Sequence, residues 1–423
     1  MTNVHVITQD SPVIQADSER MKGLLKQATF EITENLEEGD IVIFNTCSAR
    51  TSSETDFFTE LEELKKEYPY KIFIVAGCLA LSNSSRLKPF SAVGPEQFHR
   101  IVEAVEESLN DNVVKMLKSE ETPPLMLPTL RGSSIVEIIP VNRGCLPSCT
   151  YCKPKPDRNM KSYPLEDIVA TARKALQEGV KEIWLTSWDT LCYGFDTGTN
   201  IAKLLQELVN LPGAFKIRLD MGNPAHLLKM KDQLFPLLGH EKMFKFLHLP
   251  AQSGSNKLLK AMHKEHTKED FLELVSELKI AVPNITLATD FVVGFPSETD
   301  DDHWQTLELV RKTMPDLISI WQYRLRDSPS AEPGQEEIIK RRASVLTDIF
   351  HNISKLQNER WRGWEGEILI EQKGREEQQW IGRNEYYKPV IVEGNFTLGA
   401  MVKVRIMKTD TSGLKGEVVE IKQ

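Results

Sequence analysis

Two hydrophobic rhythms run along this chain, and a third takes over near its end. In residues 1–115, short β-rich runs at Val4–Thr8, Ile41–Asn45 and Lys71–Ala76 alternate with apolar residues at helical spacing around Ser18–Ala28, Ser53–Tyr68 and Pro95–Leu109. Parallel strands need a crossover between them, and a helix is the usual one, so this alternation predicts an open parallel α/β sheet. The run Thr122, Pro123, Pro124, Leu125, Met126, Leu127, Pro128 reads as a linker. Six more β-rich runs follow at Ile135–Val141, Glu182–Thr186, Phe215–Leu219, Lys245–Leu249, Thr286–Val293 and Leu317–Tyr323. Each of the first five leads into a helical stretch, for example Leu165–Glu178 and Asp302–Lys312. Six βα units predict a parallel sheet curled into a partial barrel, with ligands at the carboxyl ends of its strands. After a charged helix over Gln335–Arg360, short strands at Gly366–Ile370, Tyr386–Val392, Met401–Met407 and Gly416–Ile421 fit a small antiparallel barrel. No internal repeat or low-complexity tract interrupts the pattern.

The expected class is therefore α/β, in three parts at 1–120, 131–360 and 361–423, and the composition agrees. With 423 residues, 40% hydrophobic and 27% charged, the chain has the make-up of a soluble globular protein. The start MTNVHVITQD has neither a basic cluster nor an apolar run, and no stretch approaches the ~18 apolar residues of a membrane span. A cytoplasmic protein without a membrane partner is the expectation. The net charge of −9 looks unsuited to nucleic acid, yet residues 1–130 carry 12 Lys+Arg against 21 Asp+Glu and so hold the whole excess. The rest is balanced, which permits an RNA-binding face there.

Six cysteines in such a chain suggest metal or thiol chemistry rather than disulfides. Three lie in Asn142-Arg143-Gly144-Cys145-Leu146-Pro147-Ser148-Cys149-Thr150-Tyr151-Cys152, at the end of the first barrel strand. Three thiolates at C-x3-C-x2-C spacing can hold three irons of a [4Fe-4S] cubane and leave the fourth iron open. That iron can bind the amino and carboxylate groups of S-adenosylmethionine (SAM), whose sulfonium bond an electron from the cluster then breaks to give a 5′-deoxyadenosyl radical. A structural zinc would want a fourth ligand, and no His lies near this loop.

C-x3-C-x-aromatic-C after the first strand of a βα barrel resembles the radical-SAM signature, with Tyr151 at the aromatic position. Over nearly all its length the chain resembles the methylthiotransferase family. That resemblance implies a flavodoxin-like N-terminal domain with an auxiliary iron–sulfur cluster, a radical-SAM core and a C-terminal TRAM domain that binds RNA. Cys47, in Asn45-Thr46-Cys47, and Cys78, in Ala76-Gly77-Cys78, each follow a strand and match family positions for the auxiliary cluster. By analogy that cluster, 3Fe-4S or 4Fe-4S on two cysteines, supplies the inserted sulfur. The family's third cysteine precedes an Asp-Ser-Glu run, present here as Asp17-Ser18-Glu19, but its position is Ser11, with Asp10 before it. Either Ser11 or Asp10 gives an oxygen ligand, a non-protein group completes the cluster, or the cluster is lost. Cys192, just past the second barrel strand, is a further candidate beside the reading of a tolerated small-to-Cys change.

The strand ends supply SAM-pocket candidates that resemble family segments: Thr186, Ser187 and Asp189; Asn223; Gln252 and Ser253; Asp290 and Gly294. In the last segment, Arg360, Arg362, Arg383, Lys388, Lys403, Arg405 and Lys408 with Trp361, Trp380, Tyr386 and Tyr387 offer phosphate contacts and stacking surfaces. The cysteine loop and Leu185-Thr186-Ser187-Trp188-Asp189-Thr190 look most like the archaeal and eukaryotic branch, without the eukaryotic C-terminal membrane anchor. The resemblance implies methylthio insertion at C2 of N6-threonylcarbamoyladenosine 37, beside the anticodon. The expected partners are a tRNA anticodon stem-loop and a reducing electron-donor protein, and the expected state is a monomer. A ribosomal-protein aspartate methylthiotransferase is the competing enzyme, and a non-catalytic RNA-binding iron–sulfur protein the competitor from another class.

Overall fold

A computed structural model of the chain describes residues 2–9, 11–46, 54–81, 85–117, 122–146, 148–152, 160–323, 335–411 and 413–421. Cys47 and Asp10 lie outside the described residues. The chain divides into two compact units, one formed by 1–133, 138–145 and 152–171 and the other by the remainder.

The first unit is built on a six-stranded, all-parallel sheet. Its centre is Asn3–Thr8, Ile41–Thr46 and Ile72–Gly77, and the last two are buried along almost their whole length. Such uninterrupted apolar runs are what a sheet covered on both faces requires. Three short strands were not evident from the sequence, Glu31–Thr33, Ser91–Val93 and Lys115–Met116, because two or three residues carry too little periodicity to register. The first helix runs Pro12–Gln27 and so begins six residues before the predicted Ser18. Pro12 stands at the first helical position, where its fixed φ and missing N–H suit the helix. Ser11 is therefore the residue that opens this helix.

In the second unit, Glu182–Thr186 pairs in parallel with Lys216–Leu219, and Phe246–His248, Thr286–Val293 and Leu317–Gln322 form a parallel three-stranded sheet. A parallel bridge between Ile217 and Met243 joins the two sets, and the Ile135 carbonyl accepts the amides of Lys181 and Glu182 at 2.8 and 2.9 Å. This is the expected partial barrel. Its helices begin on side-chain caps, Asn200, Asn223, Ser255, Thr267 and Thr299, the last two as full capping boxes. Those caps fix where each chain segment turns after leaving a strand end.

Five strands between Glu365 and Ile421 form a closed barrel with the core Ile368, Ile370, Trp380, Val390, Val392, Val402, Val404, Ile406 and Leu414. Gln379–Asn384 is a strand that the sequence pattern did not separate from its neighbours, and the seam Val390–Leu414 is parallel while the other pairings are antiparallel. Trp361, Trp380 and Tyr387 are buried, so they fill space inside the fold and are not available for stacking RNA bases. Lys388 is likewise internal and faces Asp316 at 2.7 Å, and Arg383 donates to Glu371 at 3.1 Å. Arg362, Arg405 and Lys408 remain on the surface.

Candidate active site

The strand ends of the second unit form a hydrogen-bonded rim rather than separate polar tips. Asp189 is its centre: one carboxylate oxygen accepts the amides of Leu191 and Asn223 at 3.2 and 3.0 Å, and the other accepts His226 Nδ1 at 2.7 Å. The carboxylate thus ties the end of the second strand to that of the third and fixes the proton of His226 on Nδ1. Thr186 donates its hydroxyl to Asp220 at 2.7 Å, while Ser187 accepts the Asp189 amide at 2.9 Å. On the other side His248 Nε2 lies 2.8 Å from Asp290. Gln252 stands at φ +69, an unusual backbone for a non-glycine residue, and its amide donates to the Asp290 carbonyl at 2.8 Å. Ser253 accepts the Ser255 amide at 3.1 Å, and the Ser255 hydroxyl donates to Asp302 at 2.7 Å. Gly294, at φ +83, gives its amide to Glu298 at 2.7 Å, and Arg342 holds Glu298 from the long helix Gln335–Glu359. Burial alone would push the Asp302 carboxyl up, but bonds from Lys257, Ser255 and Thr299 outweigh it and hold it well below the usual carboxylate range.

Asp220 and His226 were not singled out from the sequence, and His248 stood out only as the first residue of the run that ends the fourth barrel strand. Isolated Asp and His at strand ends are common, and only their pairing in space distinguishes them. Lys264 was also missed. Its amine lies 3.3 Å from Cys149 Sγ and 5.5 Å from the centre of the Tyr151 ring, while the Thr150 amide donates to the Met262 carbonyl. The chain from Met262 to Lys264 therefore braces the cysteine loop and sets a cation against one of its sulfurs. Tyr151 packs beside Leu258, Met262, Val292 and Phe295.

Cys145, Cys149 and Cys152 are all partly exposed. Among the described residues, no three His, Cys, Asp or Glu are gathered round one point, so the fit to a cluster is judged on donor chemistry. Three soft thiols in one short loop, with an ammonium against one of them, suit the sulfur-rich, negatively charged surface of an iron–sulfur cluster.

The first unit carries two of the other sequence candidates, Ser11 and Cys78. Thr8, Asn45 and Ala76 are in register across three neighbouring strands, so Ser11 and Cys78 both follow the carboxyl edge of one sheet. Ser11 is 3% exposed, in extended conformation, and makes no side-chain cap to its helix. Cys78 is buried and preceded by Gly77 at φ +80, where an added Cβ would stand 2.4 Å from the Thr46 oxygen. Only glycine lets the chain turn there. A hydroxyl and a thiol at this edge are compatible with a metal–sulfur group. Cys192, by contrast, is fully buried in the second unit and donates its thiol to the Asp189 carbonyl at 3.0 Å, which is the packing role of a small residue.

Comparison with known proteins agrees with this architecture. The chain matches the profile of the Radical SAM superfamily over residues 139–310, the Uncharacterized protein family UPF0004 over 3–93 and the TRAM domain over 359–419. Of solved structures, a radical S-adenosylmethionine methyltransferase, TsrM from Kitasatospora setae, shares the fold at a TM-score of 0.54, with 12% identity over 76% of this chain and 75% of that one. The threonylcarbamoyladenosine tRNA methylthiotransferase of Homo sapiens is 35% identical over 96% of this chain and 72% of the relative. The probable enzyme of Methanothermobacter thermautotrophicus is 33% identical over 95% and 96%, and that of Pyrococcus abyssi 36% over 85% and 87%. The chain belongs to the threonylcarbamoyladenosine tRNA methylthiotransferase family and is a radical-SAM enzyme.

Proposed function

We propose that this enzyme inserts a methylthio group at C2 of N6-threonylcarbamoyladenosine 37 of tRNA, with three domains at 1–120, 131–360 and 361–423. The observation that carries the reading is Lys264 set against Cys149 of the C-x3-C-x2-C run, in the same unit as a rim of paired polar strand ends. Cys145, Cys149 and Cys152 would hold a [4Fe-4S] cluster, and Cys47 and Cys78, with Ser11 in the third position, an auxiliary one. When bound, these groups supply the electron that cleaves SAM and the sulfur that is inserted. The protein's own part is to orient and to exclude water. Tyr151, Asn223, Gln252, Asp290 and Gly294 would face SAM, while Thr186, Ser187, Asp189 and Ser253, buried and committed to protein partners, hold the strand ends that carry them. Lys264 would balance the charge of the cluster sulfurs.

Arg362, Lys403, Arg405 and Lys408 would contact tRNA phosphates. No helix among the described residues is long and apolar enough to cross a membrane, and a cytoplasmic monomer served by a reducing protein fits the reading. The test is anaerobic reconstitution with iron and sulfide, followed by SAM, reductant and either tRNA bearing N6-threonylcarbamoyladenosine or ribosomal protein. Mass spectrometry of the nucleosides should show a methylthio adduct. An adduct on protein aspartate alone, or no SAM cleavage, would sink the proposal.

A further inference from the structure

The Asp17-Ser18-Glu19 run is not itself a ligand set, yet all three side chains are buried. Consecutive helical residues are about 100° apart, so the three reach different neighbours. Arg143 Nη1 and Nη2 donate to the two oxygens of Asp17 at 2.9 and 2.5 Å. Asn45 Nδ2 donates to the Ser18 hydroxyl at 2.9 Å, and the Gly132 amide donates to Glu19 at 2.9 Å. One turn beyond Asp17 on the same face, Arg20 reaches the Ile138 carbonyl at 3.4 Å from both terminal nitrogens. The helix that opens at Ser11 therefore grips the segment 138–143 at two points. Two residues past the second point is Cys145. The Arg143 guanidinium is held from its other sides too, by Tyr163 at 3.1 Å and by the Phe98 ring at 5.0 Å.

We propose that the buried Asp17–Arg143 pair is a positioning device that holds the segment bearing Cys145 in fixed geometry against the helix opened by Ser11 and the strand ends at Asn45 and Gly77. It thereby couples radical generation to sulfur insertion, and the inference rests on the two-site reading above. A buried ion pair adds little net stability, because desolvation cancels most of its attraction, and an apolar pair would serve stability as well. What the two-pronged fork supplies is direction: it fixes angle and distance at once.

The experiment uses the full chain with Asp17→Asn, the conservative Asp17→Glu and the double variant Asp17→Asn/Arg143→Gln, which buries no unpaired charge. In iron-free protein, the rate of Cys145 alkylation by iodoacetamide, read by peptide mass spectrometry, should rise about tenfold in Asp17→Asn as a charge-assisted fork is lost. It should return towards wild type in Asp17→Glu. In reconstituted protein, compared at equal bound iron, the 5′-deoxyadenosine released per methylthio group on tRNA should rise by about tenfold or more, the scale expected of a small misplacement. The double variant should show the same uncoupling. Unchanged Cys145 labelling would overturn the inference. So would a parallel fall of cleavage and transfer that tracks the folded fraction by circular dichroism. Wild-type protein that cleaves SAM but methylthiolates nothing would overturn the enzymatic reading instead, and the alkylation arm would still decide the positioning role.

Discussion

Asp189 offers the sharpest test of how the strand ends are held. The residue is 2% exposed and its carboxylate accepts three hydrogen bonds, from the Leu191 and Asn223 amides and from His226 Nδ1. Asp189→Ala strands two buried amides and an imidazole N–H, each worth about 1–3 kcal/mol when left without a partner. These three are neighbours, so their costs are not additive, and a total of about 3–5 kcal/mol is the reasonable scale. Asp189→Asn keeps an oxygen for the two amides but sets an NH2 against His226. The ring must then move its proton to Nε2, and the loss should be about 1–2 kcal/mol. Because Asn223 and the following helix are placed by this carboxylate, SAM affinity should fall with it. A roughly tenfold or greater rise in the SAM dissociation constant is expected for Asp189→Ala, and a smaller one for Asp189→Asn. Thermal unfolding and equilibrium SAM binding to the reconstituted protein measure both effects. If Asp189→Ala melts within a degree or so of wild type and binds SAM equally well, the carboxylate does not organise the rim.

Gly77→Ala puts a Cβ 2.4 Å from the Thr46 oxygen and 2.7 Å from Asn45 Oδ1 at a positive φ. It should cost about 2 kcal/mol or more and lower the iron bound beyond that of the Cys145–Cys152 loop, as read by iron and sulfide analysis. His303 is buried, and burial and then the Arg342 cation push its pKa down to about 4. Protonation therefore favours the unfolded chain: stability is full above about pH 6.5, falls between 6.5 and 4, and drops by about 2 kcal/mol from pH 7 to 5 through this group. His303→Leu should flatten that part of the melting-temperature profile, and an unchanged slope would contradict the assignment. Tyr387 packs at 4.9 Å from Phe244 and 5.1 Å from Phe246, with Arg218 and Arg383 at 5.1 and 4.5 Å. Tyr387→Ala should cost about 3–5 kcal/mol and speed proteolytic release of the C-terminal barrel, whereas Tyr387→Phe should cost under about 1.

The long elements and the cysteine loop were legible in the sequence because their signals are local. Thr286–Val293 and Glu182–Thr186 were predicted to the residue, since both are short runs rich in β-branched and aromatic residues bounded by turn signals. C-x3-C-x2-C states its chemistry by spacing alone. The same local reading failed where meaning depends on the surroundings. Arg383, Lys388, Trp361, Trp380 and Tyr387 look like an RNA-binding face in composition, yet the fold commits them to itself: the two tryptophans fill the barrel core, Tyr387 packs on Phe244 and Phe246, Lys388 faces Asp316 and Arg383 donates to Glu371. Cys192 had the residue type of a ligand, and its burial makes it a packing residue. Asp17 and Arg143, 126 positions apart, carry no pattern that connects them. Sequence by itself determined where the long strands and helices run, and it marked the thiols whose type and spacing suit iron. Only the tertiary structure decided which polar groups face one another, because pairing is a matter of distance in space and the chain records only distance along itself.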